Sequence, residues 1–122
     1  MPTLTDIGKV LRKLRIDNEE RLQDTADALG VSAAFLSAVE IGHKPPPDDF
    51  ADRVVKAYRL KGDAAEAIVR AVDRSRKTFR LNPASPVARD TAGLLARRFN
   101  SLSDDQLKSI RSILQGLEAK KR

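Results

Sequence analysis

Few side chains in this chain could do chemistry, and the suggestive ones cluster in one short stretch. The single histidine, His43, has no acid or nucleophile set beside it at motif spacing, and there is no cysteine. No Ser-His-Asp signature, phosphate-cradling glycine loop or metal-ligand cluster stands out, so neither catalysis nor a cofactor nor a bound metal is expected. What stands out instead is a run of small residues, Ser32, Ala33, Ala34, Ser37 and Ala38. On one face of a helix such residues let the backbone come close to a surface. Alanine methyls can meet thymine C5-methyl groups, and serine can donate to or accept from either kind of base. The N–H groups around Ala33 and Ala34 would add an anion site at a helix N-terminus.

Charge is consistent with a polyanionic partner but does not locate it. The chain of 122 residues carries a net +6. Residues 1–60 hold nine Lys/Arg against ten Asp/Glu, and residues 61–122 hold fourteen against seven. The excess therefore lies outside the small-residue stretch, and basic surface also serves solubility. No apolar run approaches the ~20 residues of a membrane span. The opening "MPTLTDIGKV" lacks the basic start and apolar core of a secretory signal. With no disulfide available, a cytoplasmic protein is expected, at the nucleoid when bound to DNA.

The elements that must position these residues are all helical, since sustained alternation of period two is missing. A first helix fits Thr5 to Ile16, with Ile7, Val10, Leu11 and Leu14 inward and Lys9, Arg12 and Lys13 outward. A second runs from about Arg21 to Leu29 and ends at Gly30, where positive φ carries no Cβ clash. Ser32 is expected to cap a third helix reaching Glu40. "PPP" at 45–47 cannot lie inside a helix and leads to a fourth from about Asp48, with Phe50, Val54, Ala57 and Leu60 inward. Asp63 and Glu66 could form a capping box for a fifth, with Ile68, Val72 and Phe79 on one face and Arg70, Arg74, Lys77 and Arg80 as a basic stripe. "LNPASP" marks a boundary. Beyond it come Ala88, Ala92, Leu95, Phe99 and Leu102 at helical spacing, then a Ser103–Gln106 box and a last helix with Leu107, Ile110, Leu114 and Leu117 in register. The tail "KKR" is expected to fray.

Within residues 22–39 the spacing is that of two helices held at a fixed angle. Ala26 falls where they cross, Gly30 makes the corner, and Leu29, Val31, Leu36 and Val39 supply the apolar contacts. Such a pair presents its second helix to the DNA major groove. Ser37 is expected on the outward face, away from Leu36 and Val39.

The opening Ile7-Gly8, the turn "ADALGVS" and the stretch "FLSAVEIGHK" together resemble the phage-repressor helix-turn-helix family, of the Cro/cI-like or xenobiotic-response-element (XRE) class. The resemblance covers about residues 6–60. "LARRFNSLSDDQLKSI" is similar, more weakly, to C-terminal segments of some members. The resemblance implies an all-α fold: a five-helix, lambda-repressor-like helix-turn-helix domain in residues 1–81, then a C-terminal helical pair in 82–122 for dimerisation. It places Arg21, Gln23, His43 and Lys44 at the backbone or groove edge of double-stranded DNA. Leu22 stands where the family often has a phosphate-binding Gln, and Ile41 where it favours Asn or a basic residue.

The expected function is a sequence-specific transcriptional regulator, a repressor bound as a homodimer to an inverted-repeat operator. Leu95, Phe99, Leu102, Leu107, Ile110 and Leu114 are the expected dimer or partner surface, because about forty residues are too few for a core of their own. The family also includes antitoxins, so the alternative is a regulator that binds a co-encoded toxin through that surface and controls its own operon.

Overall fold

The computed structural model describes the backbone of residues 3–120 and the side chains of residues 3–117. Its helices are α1 (Asp6–Asp17), α2 (Leu22–Leu29), α3 (Ala33–Glu40), α4 (Phe50–Ala57), α5 (Gly62–Arg74), α6 (Pro86–Arg98) and α7 (Asp104–Lys120), with a 3-10 turn at Phe99–Ser101. Among the described residues there is no strand. The fold is all-α, and it divides into two compact units, Met1–Phe79 and Arg80–Arg122.

The first unit closes around one core of Ile7, Leu11, Ala26, Leu29, Leu36, Val39, Phe50, Val54, Ile68, Ala71 and Val72. Each of α1–α5 contributes to it, so no helix of the unit stands without tertiary cover. That matters because α2, α3 and α4 have eight residues each. Helices so short are marginal alone and persist through packing of their apolar face. Burying one side chain of the size of Phe50 stabilises by about 1.5–3 kcal/mol. α2 and α4 are also tied by a hydrogen bond of 2.9 Å between the hydroxyls of Thr25 and Tyr58. Burial around that pair pushes the Tyr58 phenol above its ordinary value.

Several expectations change here. α5 begins after Lys61, and no side chain caps it, so the Asp63–Glu66 box is not formed. The same helix stops at Arg74, which leaves Phe79 exposed beyond its end rather than on the Ile68/Val72 face. The physical reason lies in its last turn. Ser75 and Arg76 N–H bond Val72 and Asp73 oxygens at 3.0 and 3.1 Å, tightening the chain, and Ser75 Oγ donates to the Ala71 oxygen at 2.8 Å. Lys77 and Arg80 therefore do not extend a helical stripe from Arg70 and Arg74. Arg70 lies 3.7 Å from Glu66, and Arg74 4.0 Å from Asp6. Ala57, at the end of α4, is exposed rather than inward.

In the second unit the Ser103–Gln106 box forms as read, but the helical spacing stops short: α6 ends at Arg98, Phe99 lies in the 3-10 turn and Leu102 is extended. Ser85 Oγ accepts from Ala88 N–H at 3.0 Å with Pro86 in the first turn, a favoured place for proline. Both bonds of the Ser103–Gln106 box form: Ser103 N–H to Gln106 Oε1 at 2.9 Å, and Gln106 N–H to Ser103 Oγ at 3.1 Å. None of its described side chains is buried. Leu95, Leu102, Leu107 and Ile110 are half-buried, whereas Phe99 and Leu114 are at least half exposed. Of the tail "KKR", expected to fray, Lys120 still belongs to the backbone of α7, and residues 121–122 lie outside those described.

Candidate nucleic-acid interface

The interface is built around the corner between α2 and α3. Gly30 has φ +71°, the left-handed region where a side chain would be strained. Its N–H reaches the Asp27 oxygen at 3.2 Å and Val31 N–H reaches the Ala26 oxygen at 3.0 Å, closing α2. Arg53 of α4 adds a guanidinium bond of 3.1 Å to the Leu29 oxygen. At the other end of α2, Arg21 N–H donates to Asp24 Oδ2 at 2.8 Å. That bond holds the Asp24 carboxyl below its ordinary value.

Two residues after the corner, Ser32 Oγ accepts from Phe35 N–H at 3.0 Å and starts α3. Ala26 is fully buried at the crossing, and Leu36, Val39 and Glu40 turn into the protein. The opposite side of α3 is the more open one. Ser32 and Ala34 are exposed, Ala33, Ser37 and Ala38 are half-buried, and Ala33 and Phe35 lean on the core. Ser37 is thus less open than its outward register suggests.

α3 is aimed by what holds its far end, which the sequence reading missed. The Glu40 carbonyl oxygen accepts from Thr5 N–H at 2.8 Å and Thr5 Oγ1 at 3.0 Å. Gly8 of α1 passes directly over this carbonyl, so a Cβ there would overlap its oxygen. The Glu40 carboxylate, itself buried, pairs in bidentate fashion with Arg15 at 2.5 and 3.0 Å. This bond raises the Arg15 guanidinium further above its already high value. Gly42 completes the exit with φ +82°, close to the Thr5 methyl. His43 and Lys44 N–H both bond the Ala38 oxygen, at 2.8 and 3.2 Å.

The expected contacts are therefore distributed as follows. Ser32, Ala33, Ala34, Ser37 and Ala38 lie on or beside the open side of α3, and His43 and Lys44 are exposed on the loop that leaves it. Arg21 is exposed at the start of α2, and Gln23 is exposed with its amide on Asp27 at 2.8 Å. Leu22 is half-buried against the core and has no hydrogen-bonding group, so only its backbone could serve a phosphate.

A helix-turn-helix domain model matches residues 6–78. The chain belongs to the helix-turn-helix family. The match, of the XRE type, takes in all of α1–α5 and reaches beyond the residues that carried the resemblance. A helix-turn-helix is a DNA-binding device of two helices joined by a short turn, and α3 is the second helix of that motif here. The transcriptional regulator ClgR of Mycobacterium tuberculosis, matched in two strains, is 28% identical over 89 residues, covering 73% of this chain and 78% of that regulator. No solved structure matches the chain significantly. Among the described residues no helix is long and apolar enough to cross a membrane, and no three His, Cys, Asp or Glu are grouped to hold a metal ion.

Proposed function

We propose that this helix-turn-helix protein is a transcriptional regulator that represses by occupying an inverted-repeat operator as a homodimer. The carrying observation is the corner at Gly30, which buries Leu36 and Val39 while leaving the Ser32/Ala34 side of α3 open. The relationship to a transcriptional regulator supports the same reading. α3 has few hydrogen-bonding side chains, so its affinity comes largely from phosphates. Arg21, Gln23, Lys44, His43 and the N–H groups at the start of α3 would hold the backbone. Ala33, Ala34, Ser37 and Ala38 would lie against base edges, thymine methyls included, and DNA shape would supply further discrimination. Residues 1–81 act as the DNA-binding part and 82–122 as the partner segment, in the cytoplasm and on the nucleoid.

The homodimer rests on the second unit, whose Leu94, Phe99, Leu114 and Leu117 are at least half exposed. Pairing those faces between copies would bring two α3 helices into one particle, as two half-sites about 34 Å, one turn of DNA, apart require. The same faces support the second reading, an antitoxin that covers them with a co-encoded toxin. Footprinting of the promoter regions beside the coding gene tests the first reading. A protected, two-fold-related site whose affinity falls steeply with salt is expected. Absence of sequence-selective protection at low salt would reject it. Co-purification with a toxic neighbouring gene product in place of a homodimer would favour the second.

A further inference from the structure

The loop from α3 to α4 contains Pro45, Pro46 and Pro47 in succession. Three prolines supply three carbonyls and no N–H, so the loop has little means of bonding itself. Pro46 is buried, and its carbonyl needs a donor from elsewhere in the chain. That donor is Arg76, two residues past the end of α5. Its Nη1 donates to the Pro46 oxygen at 2.7 Å and its Nη2 to the Pro47 oxygen at 2.6 Å. The Pro47 oxygen also accepts from Phe50 N–H at 3.0 Å, which ties the loop to the first turn of α4. The neighbouring Ser75 Oγ takes Ile7 N–H at 3.3 Å, so the base of the clasp is itself fixed to α1.

We infer that Arg76 is a positioning residue for the DNA-contact loop, holding His43 and Lys44 at the groove edge from behind. Its consequence for DNA rests on the function proposed above; its geometry does not. Besides the Phe50 bond, the loop has two anchors. One is the end of α3, where His43 and Lys44 N–H bond the Ala38 oxygen. The other is the planar guanidinium, which bridges two successive carbonyls as a single ammonium cannot. With Arg76 removed, the Pro46 carbonyl must find water, the loop moves off the core, and Lys44 loses its fixed place. α5 retains Ile68, Ala71 and Val72 in the core, so the fold survives.

The test compares wild type, Arg76→Ala, Arg76→Lys, Lys44→Ala and the Arg76→Ala/Lys44→Ala double variant. Amide hydrogen exchange reads the clasp without DNA. Arg76→Ala should speed exchange at His43 and Lys44 about tenfold or more while α2 amides keep their protection, because two charge-assisted bonds are lost. Binding to the footprinted site should weaken about tenfold, with the salt slope shallower by about one phosphate contact. Arg76→Lys keeps the charge and should remain impaired, and the double variant should bind no worse than Arg76→Ala. Unchanged exchange at His43 and Lys44 would overturn the inference. So would wild-type affinity in Arg76→Lys, or additive losses in the double variant, which would make Arg76 a direct phosphate contact. If wild type binds no DNA, the function proposed above fails, and exchange alone decides the clasp.

Discussion

Gly8 carries a constraint that no composition statistic reveals. Its missing Cβ is what lets α1 cross the end of α3 at the Glu40 carbonyl, whose oxygen is already held by Thr5. Backbone on both sides leaves little room to give, so Gly8→Ala should cost the upper end of about 1–3 kcal/mol, read as a lower urea midpoint at unchanged m-value. Asp24 sets a pH dependence of the opposite kind, on the surface. Its carboxyl is held below its ordinary value by Arg21 N–H, so the unfolded chain takes up its proton first. The contribution is complete above an unfolded value near 3.8 and is lost as pH falls through the lower folded one. Asp24→Asn should flatten that part of the acid-unfolding curve, measured by circular dichroism. Ser32 could be read as a cap from three residues of sequence. Arg15 could not be read as the partner of Glu40, because nothing local connects residues 25 apart in the chain.

At the scale of elements, α2 and α3 keep their angle because Ala26 fills the crossing and Gly30 turns the corner. Ala26→Leu should overpack that crossing and destabilise by roughly 1–3 kcal/mol in thermal or urea unfolding. The helical periods placed α1–α4 and the C-terminal pair to within a few residues, since each carries an apolar stripe, and Ser32 and Ser103 mark the starts of α3 and α7. α5 shows where that reasoning runs out. Phe79 continues the spacing of Ile68 and Val72, yet the hydroxyl of Ser75 and the guanidinium of Arg76 find carbonyls that turn the chain away first. Periodicity reports which side chains could share a face, and competing tertiary bonds decide how far the helix runs. The site divides in the same way: the exposed residues of α3 were legible from their size and register, whereas the bonds that aim α3 come from α1.

For the whole molecule, the question is what the second unit does for the first. α6 and α7 carry sound caps but bury no described side chain, and Ile113, Leu114 and Leu117 are more than half exposed. If a second copy covers them, Leu114→Asp with Leu117→Asp should give a monomer in analytical ultracentrifugation. Operator affinity should then fall by about 100-fold or more as effective concentration is lost, with the first unit still folded. The central claim, that the open side of α3 meets DNA, has a more direct test in Ala34→Glu. A carboxylate in the first turn of a helix suits its dipole, so helicity and unfolding midpoint should hold. Against DNA the same charge should cost several kcal/mol and lower operator affinity by more than about 100-fold. Wild-type affinity in a fully folded Ala34→Glu protein would contradict the account.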